Sequence, residues 1–309
     1  SNEIREAPPM PATDRPRRSM LYMPGSNARA LAKGRSLPAD ALVLDLEDAV
    51  APDAKEAARA QIADALAEGG YGKREILVRV NGPETPWGAA DLEAMARTRA
   101  DAVLLPKVES AAAVRAAAAA MDAAGAHEAM ALWCMIETPL GVLRAAEIAD
   151  SDPRLAGFVM GTSDLAKDLR CRHTPDRLPF LMSLSQVVLA ARAYGLAAID
   201  GVHLDLEDMA GFEAQCRQGL ELGFDGKSLI HPKTIAAANR HFGPSPEDVA
   251  ESRRVIAAFE DAERQGAGVA VLDGKLVETL HVENARRLLA MAARIEELEA
   301  EQGDTAQPG

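Results

Sequence analysis

Short apolar runs alternate along the chain with longer, Ala-rich segments in which apolar residues recur every three or four positions. The first pattern is typical of buried strands, and the second is typical of amphipathic helices. Runs such as "AVLLP" are apolar at nearly every position, as expected of parallel strands that are covered on both faces. The runs that predict strands are Ser19–Met23, Ala41–Leu46, Ile76–Val80, Ala102–Leu105, Leu132–Ile136, Gly157–Met160, Ala197–Val202 and Gly226–Ile230.

Each predicted strand is followed by a helical segment, so a βα unit is repeated eight times. This order predicts an α/β fold, a (β/α)8 TIM barrel, over residues 18–242. Residues 1–17 are Pro-rich and are predicted to be disordered. They lack the apolar stretch of a secretory signal, so we expect a cytoplasmic protein.

The chain continues beyond the barrel into an extension over residues 243–300. Ser245 is a good helix N-cap, and Asp248 stands three residues later, where it could complete a capping box. The helix that starts here is predicted to end near Gln265. Such an extension exceeds what a barrel needs, and it either packs on its own barrel or reaches a neighbouring subunit.

Two further signals lie in this extension. Asp273 and Gly274 form a dipeptide that is typical of a tight β-hairpin turn. A charged helix is predicted over residues 281–300, and the polar residues 301–309 are predicted to be disordered. We therefore expect a helical and hairpin lid that follows the barrel.

Composition excludes several classes of function. The 47 acidic and 34 basic residues among 309 give a net charge of −13, which opposes nucleic-acid binding. No apolar run reaches the roughly 18 residues expected of a membrane span. Cys134, Cys171 and Cys216 are too few and too widely spaced for a disulfide framework or a CxxC metal site.

Polar side chains follow most of the predicted strands at the point where each strand ends. In a (β/α)8 barrel the carboxyl ends of the strands meet at one mouth, where the reacting groups lie. These side chains are therefore expected to lie close together, and they are Asp45, Glu47, Asp48, Arg79, Asn81, Lys107, Glu109, Glu137, Asp164 and His231.

Several carboxylates at one mouth need compensation. Two unit charges about 4 Å apart repel each other by roughly 4 kcal/mol at an effective dielectric constant near 20. Protons, Arg79, Lys107 or a cation could remove this repulsion, and Glu137 could equally pair with Arg79. Carboxylate oxygens without paired His or Cys ligands favour a hard ion, Mg²⁺ or Mn²⁺, over zinc.

The string "LDLED" occurs twice, at residues 44–48 and 204–208. The two copies belong to the second and seventh strand positions, which a simple half-barrel duplication would not pair. The sequence therefore establishes no internal repeat. "MPGSN" near residue 25 is a further weak signal, a strand-to-helix turn whose amides could hold a phosphate.

A series of longer motifs resembles one protein family. The motifs are "LYMPGSN", "VLDLEDAVAPDAKEAAR", "VRVNG", "LLPKVES", "IETPLG", "MGTSDLA", "GKSLIHPKTI" and "DGKLVE". In this order they resemble the HpcH/HpaI aldolase and citrate lyase β-subunit family, in its acyl-CoA lyase branch. The resemblance spans residues 18–294 and implies a (β/α)8 barrel that assembles as homotrimers or homohexamers, with the C-terminal segment lying over a neighbour's site.

The resemblance also implies roles for individual residues. Glu137 and Asp164 match the family's Mg²⁺ ligands, while Glu47 and Asp48 match acids that hold the metal's waters. Arg79 matches the residue that binds substrate near the metal. The positions that match the lining of the acyl-CoA or substrate channel are Tyr22, Lys33, Ser163, Ile230 and His231.

One residue departs from the family pattern. The C-terminal lid of these lyases usually carries an Asp that acts as acid or base in a neighbour's site, whereas the matching residue here is Glu278. Its extra methylene displaces the carboxyl group, and small misplacements of reacting groups are costly. Arg29, in the loop after the first strand, is a further candidate phosphate partner that has no firm match.

The residues and the resemblance together favour a Mg²⁺-dependent lyase that splits a 3-hydroxyacyl-CoA into a 2-oxoacid and a shorter acyl-CoA. Malyl-, methylmalyl-, citramalyl- and citryl-CoA are the candidate substrates. The departure at Glu278 motivates a second hypothesis, in which the same site hydrolyses the thioester of a malyl-CoA-type substrate. A third is a citryl-lyase-like subunit or acyl-CoA binder that needs an acyl-carrier partner.

Overall fold

Eight parallel strands close into a barrel in the computed structural model, which describes residues 15–305. Each strand pairs with the next, and the last strand returns to the first, where Lys227 lies beside Ser19. The predicted TIM barrel is confirmed, and every predicted strand end lies within two residues of an observed one. The strands are β1 Ser19–Pro24, β2 Ala41–Asp45, β3 Glu75–Arg79, β4 Ala102–Leu105, β5 Ala131–Ile136, β6 Leu155–Met160, β7 Ala197–Asp200 and β8 Gly226–Leu229.

Helices cover the outside of this barrel. They are α1 Ala28–Gly34, α2 Lys55–Glu68, α3 Gly88–Ala96, α4 Ala111–Ala124, α5 Pro139–Leu143, α6 Ala145–Ala149, α7 Thr162–Leu169, α8 Leu181–Ala193, α9 Met209–Leu222 and α10 Ile235–Phe242. Short 3₁₀ turns occupy Pro52–Ala54, Leu178–Phe180 and Pro232–Thr234. Within residues 15–305, no helix combines the length and the apolar character needed to cross a membrane.

The apolar runs supply two separate packing layers because successive strand side chains point to opposite faces. Leu42 and Leu44 of β2 face outward and join the large cluster between the strands and the helices. Val43, between them, faces inward and joins a second cluster in the barrel interior. Both layers are buried, which explains why these strands are apolar at nearly every position.

The barrel interior is filled near its amino-terminal end by Trp133 of β5, which is fully buried. A Cβ added to Gly157 on the neighbouring strand would lie 2.4 Å from the Trp133 ring, so only glycine fits there. The pairing of β5 with β6 shifts its register at Trp133. The large indole thus fits only because residue 157, opposite it, has no side chain.

Order in the described chain extends to residues before the predicted barrel boundary at residue 18. Arg17 is buried, its Nη2 donates to Glu75 Oε1 at 2.9 Å, and its guanidinium lies 5.0 Å from the centre of the Trp133 ring. The prediction of disorder is therefore wrong for Arg17, because the guanidinium finds both a carboxylate and an aromatic face at the barrel bottom. Residues 1–14 of the same predicted segment lie outside the described residues.

The extension begins with α11 Pro246–Arg264, which is followed by β9 Ala270–Leu272, β10 Lys275–Val277 and α12 Thr279–Thr305. The predicted capping box of Ser245 and Asp248 is confirmed. Asp273 and Gly274 have φ values of 51° and 76°, as the predicted hairpin turn requires.

The last helix is longer than predicted. It continues to Thr305, so the prediction of disorder is wrong for residues 301–305, while residues 306–309 lie outside the described range. Gln302 gives a physical reason, since its Nε2 donates to the carbonyl of Ala39 at 3.0 Å and is buried there. A polar side chain with a tertiary partner thus extends order beyond the point that composition indicates.

Residues 246–305 form a unit that we call the arm. Its own small apolar cluster contains Phe259, Ala270, Val277 and Val282, and is separate from the two barrel clusters. The far end of α12 is joined to the barrel bottom, where Glu299 lies 2.9 Å from Arg18. At about 1.5 Å per residue, the 27 residues of α12 span about 40 Å, so the hairpin lies far from this anchor.

Candidate active site

A cavity of about 310 Å³ opens at the carboxyl ends of the barrel strands. Its walls combine carboxylates and a guanidinium with methionine and valine side chains, which suits a small anionic ligand that also has an apolar part. The lining residues are Tyr22, Asp45, Asp48, Ala49, Arg79, Met135, Glu137, Met160, Gly161, Thr162, Ser163, Asp164, Val202, Ser228 and Ile230.

Arg79, the last residue of β3, is held by a fork from the neighbouring strand. Its Nε and Nη2 donate to Asp45 Oδ1 and Oδ2 at 2.7 and 2.6 Å. Asp45 also accepts the backbone N–H groups of Glu47 and Ala49. A buried carboxylate with four donors fixes the guanidinium in one orientation.

This fork leaves one nitrogen of Arg79, Nη1, free to face other groups. Nη1 lies 2.9 Å from Glu47 Oε2 and 3.7 Å from Asp48 Oδ2, and the guanidinium carbon lies 4.9 Å from the Tyr22 ring centre. Burial lowers the pKa of Arg79, but the hydrogen bonds of Asp45 and the surrounding charges outweigh it and raise that pKa. Arg79 therefore stays charged, and its Nη1, which donates to Met135 Sδ at 3.6 Å, is the nitrogen not taken up by the Asp45 fork.

Glu137 follows β5 and is almost fully buried. Its Oε1 accepts the backbone N–H of Lys107 at 2.8 Å, and its second oxygen makes no hydrogen bond to the described chain. Burial raises the pKa of Glu137 to about 7, although the Lys107 N–H lowers it. Gly161 makes room for this side chain, because a Cβ there would lie 2.4 Å from Glu137 Oε2.

Lys107 lies among the acids of the mouth. Its ammonium is 3.1 Å from Glu47 Oε1 and 3.4 Å from Asp164 Oδ2, and its backbone adopts a left-handed φ of 48°. Burial lowers the pKa of Lys107, but Glu47 and the other carboxylates outweigh it and raise that pKa. Within the described structure, Arg79, Lys107 and the raised pKa of Glu137 thus supply the compensation that the clustered acids require.

The donor set fits a magnesium ion. Glu137 and Asp164 present carboxylate oxygens at one cavity, and Mg²⁺ is commonly held by one or two carboxylates together with waters and substrate oxygens. Within the described residues, no group of three or more His, Cys, Asp or Glu could hold a metal. Two carboxylates would be too few for a closed structural zinc site, which takes four protein ligands.

The position of Lys107 leads to a prediction about metal affinity. A divalent ion placed between Glu137 and Asp164 would repel the nearby ammonium, so Lys107→Met is expected to tighten Mg²⁺ binding by about tenfold. Isothermal titration of the protein with MgCl₂ measures this directly. Lys167→Met is the matched control, because Lys167 also lies 3.4 Å from Asp164 but is largely exposed. Equal or weaker binding in Lys107→Met would show that Lys107 supports the metal ligands instead.

The family described as HpcH/HpaI aldolase/citrate lyase matches residues 18–232 of this chain. The chain belongs to this family. The resemblance that the sequence motifs indicated is confirmed, and the matched range ends just after β8, so it contains the whole barrel mouth.

Three known proteins are similar to nearly the whole chain. A (3S)-malyl-CoA thioesterase of Cereibacter sphaeroides strain KD131 is 52% identical over 280 residues, which cover 91% of this chain and 96% of the relative. The citrate lyase subunit beta of Escherichia coli K12 is 39% identical over 283 residues, covering 90% and 94%. The crystal structure of CitE from Mycobacterium tuberculosis with magnesium, acetoacetate and coenzyme A has a TM-score of 0.73, 33% identity, and coverages of 89% and 97%.

Most of the residues predicted from sequence converge at the cavity. Those that line it are Tyr22, Asp45, Asp48, Arg79, Glu137, Ser163, Asp164 and Ile230. Glu47 stands just behind the wall, where it contacts Arg79 and Lys107. Burial raises the pKa of Glu47, so its carboxylate depends on these two cations for its charge.

Besides Glu47, the predicted residues that do not line the cavity of this chain are Lys33, Asn81, Lys107, Glu109, His231 and Glu278. Lys33 is exposed on α1, and His231 uses Nδ1 to accept the backbone N–H of Lys233 at a helix start. Glu278 lies on the arm, between β10 and α12, where its N–H donates to His281 Nδ1. The cavity of one chain is therefore lined without the side chains of Lys33, His231 and Glu278.

Sequence reasoning missed several lining residues, of which Met135 and Met160 are the largest. Met135 stands two residues before Glu137, so the strand period of two places both side chains on one face. The spacing could therefore have predicted that Met135 lines the cavity. Thr162, Val202 and Ser228 gave no comparable signal, since they follow or flank ordinary strand ends.

The second "LDLED" string serves a different purpose from the first. β7 ends at Asp200, so residues 204–208 form a loop and not a strand end. Asp205 accepts the N–H of Glu207, and Asp208 caps α9 by accepting the N–H of Gly211. In both copies an Asp accepts the backbone N–H of the residue two positions later, which is useful at a strand end and in a loop alike.

Proposed function

We propose that this protein hydrolyses the thioester of a malyl-CoA-type 3-hydroxyacyl-CoA in a Mg²⁺-dependent reaction. The observation that carries this proposal is the 52% identity to (3S)-malyl-CoA thioesterases over 91% of the chain. Glu278, which stands where related lyases usually have Asp, is in keeping with hydrolysis. The 310 Å³ cavity is of a size that suits the malyl group but not the whole of coenzyme A.

Glu137 and Asp164 would hold the magnesium ion. When bound, Mg²⁺ acts as a Lewis acid and as a template that orients carboxylate and neighbouring oxygens. The two side chains come from different strand ends, after β5 and in the first turn of α7, which the barrel brings together. Mn²⁺ is a hard ion of similar preference and is expected to substitute in this site.

Arg79 would bind the free carboxylate of the malyl group. Asp45 occupies Nε and Nη2, so Nη1 is the donor that the guanidinium can present to a ligand. Glu47 and Asp48, which lie beside Nη1, would release it toward the incoming carboxylate. Because the guanidinium is already oriented by Asp45, binding requires little further ordering.

Hydrolysis also needs a group that removes a proton from the attacking water. Water adds to the thioester carbon, the carbon–sulfur bond breaks, and the coenzyme A thiolate leaves and takes up a proton. We assign the water's proton to a carboxylate, Glu278 of a neighbouring subunit, in the role of general base. Leu276 and Leu280 stand two residues before and after Glu278, Val271 pairs with Leu276 in the hairpin, and all three are exposed. Such an apolar surface favours docking on another copy.

Reversible carbon–carbon cleavage of the same substrates is the second candidate. It would release a 2-oxoacid and a shorter acyl-CoA, and it is favoured by the citrate lyase subunit beta relative at 39% identity. A locked guanidinium beside a carboxylate pair also suits the negative charge that develops on an enolate. Both reactions use the same ligands for the substrate carboxylate, so products alone distinguish them.

A product analysis with (3S)-malyl-CoA and Mg²⁺ distinguishes thioester hydrolysis from carbon–carbon cleavage. We expect free thiol and malate in equal amounts, with no glyoxylate. Formation of glyoxylate and acetyl-CoA without free thiol would show that the protein cleaves the carbon–carbon bond and does not hydrolyse the thioester. If neither set forms with malyl-, methylmalyl-, citramalyl- or citryl-CoA, both proposals are wrong. The Glu137→Gln protein, assayed in parallel, accounts for spontaneous hydrolysis.

A further inference from the structure

A cluster of charged side chains is buried behind the cavity wall, on the outer side of the barrel. Asp200 at the end of β7 and Lys227 of β8 are both fully buried, and Arg177 is nearly so. The three lie between the strands and α9, outside the ring of residues that line the cavity. Such burial of charge is costly unless every group is paired, so the partners indicate what the cluster does.

The Lys227 ammonium has three donors, and each has an acceptor. Nζ lies 2.5 Å from the Gly201 carbonyl oxygen, 3.2 Å from Gln215 Oε1 and 3.3 Å from Asp200 Oδ2. The shortest of these contacts is to a backbone group of the loop that follows β7. Lys227 is therefore fully satisfied, and the loop is one of its anchors.

Asp200 holds the other backbone group of the same residue. Its Oδ1 accepts the Gly201 N–H at 2.8 Å, while Arg177 Nη1 donates to both carboxylate oxygens at 2.7 and 2.8 Å. Burial raises the pKa of Asp200, but Lys227 and Arg177 outweigh it and lower that pKa. The N–H and C=O of Gly201 are thus both fixed by buried, charged groups.

Gly201 in turn lies tightly against the start of α7. A Cβ there would lie 2.7 Å from Thr162 Oγ1 and 3.1 Å from the Met160 carbonyl oxygen. Thr162 and the next loop residue, Val202, both line the cavity. Ser228, which also lines the cavity, donates to the Asp200 carbonyl at 3.0 Å. Any shift of Gly201 would therefore move the cavity wall.

We infer that Lys227 is a positioning residue that clamps the Gly201–Val202 wall against α7 and thereby sets the shape of the substrate cavity. The inference rests on the proposed function, in which this cavity holds the acyl group. In this role, Val202 and Thr162 would contact the acyl group equally before and during the reaction. Loss of the clamp should therefore weaken substrate binding more than it slows the chemical step.

Three variants test this role. Lys227→Met keeps most of the length of the side chain and removes the ammonium group, while Arg177 still neutralises Asp200. Gly201→Ala moves the wall without touching the charges, because the new Cβ meets Thr162. Arg177→Lys is the matched control, since it perturbs the same buried carboxylate but makes no contact with Gly201.

We expect KM for the acyl-CoA ester to rise about tenfold in Lys227→Met and Gly201→Ala, while kcat changes by less than about threefold. Amide hydrogen exchange of residues 201–203 should accelerate in Lys227→Met. Arg177→Lys is expected to lower Tm but to keep KM and this exchange rate. A Lys227→Met protein with lowered Tm but unchanged KM and exchange would overturn the inference. If the wild-type protein acts on none of the esters, the proposed function is wrong, and the exchange rates still decide the clamp.

Discussion

Glu137→Gln is expected to lower kcat/KM by on the order of 1,000-fold and to abolish measurable Mg²⁺ binding. The amide keeps the shape of the side chain and can still accept the Lys107 N–H, but it no longer carries a negative charge for the ion. Steady-state kinetics and calorimetric Mg²⁺ titration measure the two effects. Asp164→Asn should have the same consequences, because Asp164 is the other proposed ligand.

The same Glu137→Gln change should stabilise the metal-free protein above neutral pH. Burial raises the pKa of Glu137 from its ordinary 4.5 to about 7 in the folded protein. Between these values the folded state binds more protons than the unfolded state, so the free energy of unfolding falls as pH rises. At pH 8 the ionisation of buried Glu137 lowers the free energy of unfolding by about 3 kcal/mol. Gln does not ionise, so the variant avoids this loss. Unfolding in urea at pH 4.5 and pH 8 should show the difference at pH 8 alone.

Glu109→Gln is the matched control for this prediction, since Glu109 follows β4 but does not line the cavity. It should keep activity, Mg²⁺ binding and the pH dependence of unfolding. Full activity in Glu137→Gln and Asp164→Asn together would refute the metal site. A metal-free stability that is unaffected by pH in the wild-type protein would refute the account of Glu137 burial.

Arg79→Lys is the second change with a large expected effect, a loss of at least about 100-fold in kcat/KM. Lys cannot fork to Asp45 and present a third nitrogen to the cavity, so either the carboxylate partner or the substrate loses its donor. Since Asp45 is buried, the free energy of unfolding should also fall by about 3 kcal/mol. Kinetics and urea unfolding of the same sample separate the two losses.

Arg177→Lys again serves as the control, because Arg177 is as buried as Arg79 and also donates to both oxygens of a buried Asp. Both variants should be destabilised, but only Arg79→Lys should lose catalysis. If Arg177→Lys loses as much kcat/KM, the effect at position 79 comes from a general disturbance of the barrel. If Arg79→Lys keeps its activity, the substrate carboxylate binds elsewhere.

Much of the fold followed from periodicity in the sequence. Continuous apolar runs of four to six residues, each ahead of an amphipathic segment, leave few alternatives to parallel strands with covering helices. The barrel then places all strand ends at one mouth, which is why Glu137 and Asp164 could be brought together without any coordinates. The capping box at Ser245 was equally readable, because its signal is local.

The pairing among these residues was less predictable. Sequence order does not fix which neighbour a strand-end side chain contacts. Arg79 could have paired with Glu137, but in the structure it forms a salt bridge with Asp45. The backbone N–H of Lys107 reaches Glu137 through a left-handed φ at a non-glycine residue, which no pattern indicates. Glu278 lies beyond the reach of such arguments, because under the proposed function its partners belong to another copy of the chain.

Trp133 and Gly157 carry a consequence for the evolution of this barrel. The indole fills the space that any side chain at 157 would need, so a larger residue at 157 clashes with the ring and a smaller residue at 133 leaves a cavity. Across homologous chains we expect the two sites to covary, with a small residue at 133 wherever 157 is larger than glycine. Swapping both residues at once in the laboratory should be tolerated far better than either exchange by itself.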